Sequence, residues 1–174
     1  MPDSNTLVSF DGPQIKAIFD ARGWTLAVAE SLTSGNVQAA IGAISGASTF
    51  FLGGITTYTI EQKVRHLGVD EHHARAVNAV SARVALEMAR GVTELFGAAV
   101  GVGTTGYAEP YPQAGISTPF AHFAVYHRLL QPGAEPFIHS GRVQGDPDVE
   151  RLQMQRLVTA AVLAALQHSL GRMA

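Results

Sequence analysis

Two short apolar runs that end on polar side chains constrain this chain more than anything else in it. Residues 24–29 lead directly into Glu30, Ser31, Leu32, Thr33, Ser34 and Gly35. Such a run reads as a buried strand. An acid, a serine, small hydroxylated residues and a glycine after it are how a strand delivers a reactive hydroxyl to the mouth of a helix. The second run, 50–57, carries Gly53-Gly54 inside it and ends at Tyr58, with Lys63 five residues later. Glycine within a strand points to a bulge or a close backbone approach. Serine, tyrosine and lysine are the parts of a hydrolase that needs neither histidine nor metal.

The rest of the chain is organised around these runs. Ile15, Ile18 and Phe19 recur at helical spacing, and Gly23 stops that helix. A helix is expected from about Ser34 through Ile44, and a short one over 61–67 closed by Gly68. Ser81 is a good N-cap for a helix over 82–96, where Val84, Met88, Val92 and Leu95 form one apolar stripe. A strand over 98–102 then leads into an expected loop over 103–119. Strands over 120–129 and 136–143 read as a hairpin joined at Gln131-Pro132-Gly133. Asp146-Pro147 opens the last expected helix, which runs to about Leu170. Helices alternating with strands, then a hairpin, predict an α/β fold: a single-domain three-layer α/β/α sandwich with a mixed sheet. No repeat or linker interrupts residues 1–174, so one domain is expected.

Composition narrows the partners. Apolar residues make up 47% and charged ones 15%, so the chain buries much of itself; so sparse a surface charge also predicts a homo-oligomer. With 12 basic and 14 acidic residues the net charge is −2 and no basic run occurs, so nucleic acid is not an expected partner. No segment approaches the roughly 18 apolar residues of a membrane span, and residues 1–7 do not read as a signal peptide. The absence of cysteine excludes disulfides and thiolate metal sites; a cytoplasmic protein is expected.

Several motifs compete as sites. Gly101-Val102-Gly103-Thr104-Thr105-Gly106 matches G-x-G-x-x-G, but a dinucleotide site needs a helix to begin there. Tyr107-Ala108-Glu109-Pro110-Tyr111-Pro112 follows instead, which leaves a glycine-rich loop that lets a ligand approach the backbone. The seven histidines are scattered, and adjacent His72-His73 make a poor metal pair, so no metal is expected. Ser31 needs a base to act as a nucleophile, and a lysine desolvated in a pocket can serve. Tyr58 would relay the proton or fix the lysine, and the N–H groups of residues 33–35 would hold an oxyanion or a phosphate. A blander account stands beside this one, with Ser31 only capping a helix, Tyr58 packing and Lys63 solvated.

The chain resembles the CinA C-terminal domain, or nicotinamide-nucleotide amidase (PncC), family along nearly its whole length. The family's A-E-S-C-T-G-G appears as Ala29-Glu30-Ser31, Thr33 and Gly35; Gly46-Ala47-Ser48, Phe51, Gly53-Gly54, Thr57-Tyr58, Glu61 and Lys63 follow in order. Ala79-Val80-Ser81, Thr105-Gly106, Pro119, Gly145-Asp146 and Arg151 continue the match. The resemblance implies hydrolysis of the carboxamide of nicotinamide mononucleotide to nicotinic acid mononucleotide and ammonia, with no cofactor. It implies Ser31 as nucleophile, Lys63 as general base and Tyr58 assisting, with Glu30, Thr33, Ser34, Gly35, Thr105 and Gly106 bordering a small-molecule substrate.

Departures from the family pattern cluster around that site. Leu32 stands for a cysteine and Ser34 for a glycine; Glu109 stands for a glycine, placing negative charge where a phosphorylated substrate would sit. Ala121-His122-Phe123 replaces a small G-T-V, so two bulky side chains are expected to face or flank the pocket. Pro147 takes the place of an arginine suited to phosphate. Three readings follow: an amidohydrolase of the nicotinamide-nucleotide type or on a related amide, a catalytically silent paralogue that binds a nucleotide or a protein, or hydrolysis of a smaller, unphosphorylated amide, which would tolerate Glu109 better. Wide separation of Lys63 from Ser31, and a pocket filled by His122 or Phe123, would mark the second.

Overall fold

The computed structural model describes residues 10–128 and 133–173. Its centre is a five-stranded sheet in the order β2-β1-β3-β4-β5. Strand β1 (Leu26–Glu30) pairs in parallel with β2 (Phe51–Thr56) on one side and β3 (Val100–Tyr107) on the other. Strands β4 (Phe120–His127) and β5 (Phe137–Gln144) continue the sheet antiparallel, as a hairpin pattern requires. The expected connection at Gln131-Pro132 lies outside the described residues.

Alternation of side chains along β1 sorts the core into two layers. Leu26 and Val28 point into a cluster with Ile15 and Phe19 of α1 (Gly12–Arg22), Val37 and Ile41 of α2 (Asn36–Gly42), and the inner stripe of α6 (Arg151–Met173). Ala27 and Ala29 point the other way, toward Leu67 of α3 (Ile60–Leu67), Ala74 of α4 (Glu71–Ala76) and Val84, Met88 and Val92 of α5 (Ala82–Phe96). The result is the single-domain three-layer sandwich. Among the described residues no helix is long and apolar enough to cross a membrane.

Ends of helices follow local chemistry. Asp11, Thr59, Asp70 and Ser81 each accept an N–H at the first turn of α1, α3, α4 and α5, and Gly23, Gly68 and Gly97 close helices in the left-handed conformation. Helix α4 was not expected from the sequence; its six residues carry too short an apolar pattern to stand out, and Asp70 starts it. Helix α2 ends at Gly42 rather than Ile44, and a single 3-10 turn at Ala47–Thr49 carries the chain into β2. Helix α6 begins at Arg151, not at Asp146-Pro147, because those two residues form a turn in which the Val149 N–H donates to the Asp146 carbonyl.

The largest correction concerns residues 103–107, expected in a loop and found in β3, paired residue by residue as far as Tyr107 with Phe120. The glycines of the G-x-G-x-x-G run are there for packing. A Cβ on Gly101 would lie 2.0 Å from the Ala89 carbonyl oxygen, and one on Gly103 would lie 2.2 Å from that of Ala85. Strand β3 is therefore in backbone contact with α5, and the two glycines face a helix rather than a ligand. Replacing Gly103 by alanine should destabilise the fold by about 3 kcal/mol, since the clash is with backbone that cannot rotate away. Gly42→Ala, where a Cβ meets nothing within 4 Å, should be neutral or stabilising by up to about 1 kcal/mol. Urea unfolding of both variants checks the contrast.

Candidate active site

The carboxyl ends of the three parallel strands open into one cavity of about 440 Å³. Strand β1 has its sequence neighbours on opposite sides, β2 to one and β3 to the other. This reversal of winding leaves a crevice at the strand ends, the usual ligand site of open α/β sheets. Ser31 follows β1, Lys63 sits on the helix after β2, and Thr105 and Gly106 come from the end of β3; all four line the cavity.

Neighbouring residues at the end of β1 are sent in opposite directions. Glu30 turns toward α2 and is fully buried. Its carboxylate accepts from the N–H of Gly35 at 3.0 Å, Val37 at 3.2 Å and Gln38 at 2.9 Å, satisfying the start of that helix. Ser31 turns toward α3, where the Lys63 amine lies 2.9 Å from its Oγ. Lys63 also donates to the carbonyls of Thr57 at 2.8 Å and Tyr58 at 3.2 Å. With only 2% of its surface exposed, Lys63 is desolvated, and this burial lowers its pKa from 10.5 to about 8.

The structure separates the other expected site residues into two groups. Thr105 is buried in the cavity wall and its hydroxyl donates to the Ala79 carbonyl at 2.7 Å; Gly106 also borders the cavity. Glu30, Thr33, Ser34 and Gly35 do not line it. Glu30 is engaged with the helix, and Thr33 shares a hydrogen bond of 2.8 Å with Thr104 beneath the strand end. The Gly35 N–H is taken by Glu30 and the Ser34 N–H by the Ser31 carbonyl at 3.1 Å, so neither is free to hold an oxyanion or a phosphate. Ser34 adopts φ of 52°, the left-handed region that a glycine enters without cost. That explains why a glycine suits the position and why serine there is strained.

Tyr58 lies at the cavity with its ring half exposed, but its phenol does not reach the lysine. The hydroxyl accepts from the Arg151 guanidinium, while the Tyr58 backbone carbonyl is what holds Lys63. Arg151 in turn pairs with Glu109 at 2.7 Å. His122 and Phe123 do not flank the cavity. Phe123 is buried, its ring over Gly141, where a Cβ would lie 2.4 Å away; His122 stacks edge-on to Phe120 at 5.8 Å and faces Arg142 across the hairpin.

Several wall residues were not among the expected site residues, although Ala79 belongs to the Ala79-Val80-Ser81 match. Asn78 and Ala79 lie in the wall with φ of 49° and 55°, two successive left-handed residues of the kind that collect at functional sites. Tyr107 and Tyr111 stack at 5.9 Å, and the Tyr107 hydroxyl accepts from the Asn78 amide at 3.1 Å. Among the described residues no group of three or more metal-ligating side chains converges.

Fold and site together give an α/β sandwich with a buried serine–lysine pair at the ends of its parallel strands. This chain belongs to the CinA C-terminal domain family, whose pattern matches residues 13–170. It is 47% identical over 108 residues to a putative competence-damage inducible protein of Moorella thermoacetica, covering 62% of this chain and 25% of that protein. It is 38% identical over 143 residues to a CinA-like protein of Frankia casuarinae, covering 78% of this chain and 33% of that one. The chain thus spans a quarter to a third of the length of these relatives. The crystal structure of a CinA superfamily protein from Klebsiella pneumoniae superposes with a TM-score of 0.76 at 28% identity, over 92% of this chain and 96% of that one.

Glu30 is the structural residue most exposed to test. Glu30→Gln keeps one acceptor but turns an NH₂ group toward backbone donors, and should destabilise the protein by about 2–3 kcal/mol in urea unfolding. Its effect should appear as stability lost before any loss of the Ser31–Lys63 contact.

Proposed function

We propose that this chain is an amidohydrolase acting on a non-peptide pyridine carboxamide, with Ser31 as nucleophile and Lys63 as general base. The observation that carries this reading is the hydrogen bonding of Lys63. A neutral amine has two protons and one lone pair. With its protons donated to the Thr57 and Tyr58 carbonyls, the lone pair is left for the Ser31 hydroxyl 2.9 Å away. Both carbonyls come from the end of β2, so they orient the amine without moving.

In this mechanism Ser31 Oγ attacks the carboxamide carbon as its proton passes to Lys63. The tetrahedral intermediate collapses when Lys63 returns that proton to the leaving nitrogen, releasing ammonia and an acyl-serine. Water then attacks the ester, losing a proton to Lys63, and the carboxylic acid leaves as Ser31 is reprotonated. Among the described residues the N–H groups of Leu32 and Thr33 find no intramolecular acceptor, and they directly follow the nucleophile. The Leu32 N–H, the one of the two whose residue lines the cavity, is the donor assigned here to the developing oxyanion, in place of those of residues 33–35. The structural marks of a silent paralogue are not what this site displays: the amine is against the hydroxyl, and His122 and Phe123 lie elsewhere.

Ammonia release from pyridine carboxamides, presented as nucleosides and as nucleotides, tests the reading. Turnover should fall at least about a thousandfold in Ser31→Ala and in Lys63→Met. Turnover no greater than that of Ser31→Ala for every such amide would sink it. Because Lys63 must be neutral to act and its pKa is lowered to about 8, kcat/KM should climb about tenfold per pH unit below that value and level off above it.

A further inference from the structure

The charges in the cavity wall point to a narrower substrate class. Four wall residues carry ionisable charge: Glu61, Lys63, Glu109 and Arg151. Lys63 is neutral in the form that acts as a base, so Arg151 is the wall's permanent cation. Its guanidinium is already committed, one nitrogen to Glu109 at 2.7 Å and another to the Tyr58 hydroxyl. Glu61 adds a second negative charge, shared at 3.3 Å with Arg75 outside the wall. Above about pH 8, where Lys63 is neutral, two carboxylates and one guanidinium leave the wall with an excess of negative charge. A phosphate dianion entering this cavity would have to displace Glu109 from Arg151 and remain beside it. A ring bearing positive charge would meet the opposite conditions: an acidic wall that also includes the aromatic side chains of Tyr107 and Tyr111, a residue type that attracts cations.

We propose that this cavity selects an aromatic carboxamide that is neutral or cationic and carries no phosphate, and that Glu109 sets the choice by occupying Arg151. The inference rests on the amidohydrolase reading for the reaction, but not for the binding preference. Glu109 and Arg151 are both exposed at the mouth, so the pair is weak enough for a charge substitution to redirect the arginine without disturbing the fold. Glu109 is thus a specificity residue, distinct from the serine–lysine pair deeper in the cavity.

Binding measured by calorimetry on the Ser31→Ala protein separates the two questions. The probes are a pyridinium ribonucleoside carboxamide and its 5′-phosphate, at low salt. The starting protein should bind the nucleoside at least as tightly as the phosphate. At about pH 9, adding Glu109→Gln should tighten phosphate binding about tenfold and weaken binding of the cationic nucleoside, which loses an acidic wall group and meets a freed guanidinium. Adding Arg151→Gln as well should cancel that gain, and salt should shrink it. A nucleoside-to-phosphate ratio that Glu109→Gln leaves unchanged overturns the proposal, as does failure of both probes to bind. Should the expected binding pattern appear while the Ser31 protein releases no ammonia from either probe, the hydrolytic reading falls and the charge selection stands.

Discussion

The buried carboxylate of Glu30 is the contact on which the site depends. A charged group at 0% exposure is tolerable only when its oxygens are satisfied, and three backbone N–H groups of residues 35–38 do so. The same bonds fix where α2 begins, and hence the tight turn between β1 and that helix. Because side chains alternate at a strand end, anchoring Glu30 on one face of the sheet obliges Ser31 to emerge on the other. The hydroxyl then stands against α3, where the lysine waits. An acid with no place in the cavity wall therefore determines which way the candidate nucleophile points.

Lys63 is the counterpart on the opposite face. Burial disfavours its charged form, and two carbonyls at the end of β2 supply acceptors but no negative charge to offset that penalty. A carboxylate in place of either carbonyl would stabilise the ammonium and raise the pKa again. Neutral acceptors let the amine stay oriented while remaining basic enough to take a proton and weak enough to be free of one from about pH 8 upward. Geometry and ionisation thus come from one arrangement.

How far this was legible in the sequence differs from residue to residue. The apolar runs before Glu30 and before Tyr58 mark two strands, with Ser31 and Lys63 following them, because strand period and flanking polarity are local signals; that the two strands are neighbours is seen only in the folded sheet. The function of Gly101 and Gly103 was not legible. A glycine spacing looks the same whether a ligand or a helix backbone needs the room, and only α5 packed across β3 distinguishes them. Glu30 was read as a substrate contact for a similar reason: a carboxylate beside a nucleophile gives no sign of the helix amides folded back onto it. His122 and Phe123 are expected at the pocket because they stand for the family's G-T-V, whereas Phe123 packs into the core and His122 against Phe120, and neither lines the cavity.

The mouth of the cavity was the least legible part, since its charges arrive from three distant segments. Tyr58 follows β2, Glu109 follows β3 and Arg151 opens α6, more than forty positions beyond Glu109, and only the folded sheet brings them together. Read singly, Arg151 suggests an anion site and Glu109 its opposite. Joined, they cancel, and the phenol of Tyr58 is drawn into the same contact and away from Lys63. On the proposed reading, the pair at the bottom of the cavity is suited to a reaction that many amides share, and the rim is where a choice among them would be made. Changes in specificity at such a site need not touch the serine or the lysine at all. One carboxylate at the rim is sufficient to convert an arginine that would receive a phosphate into one that is already occupied.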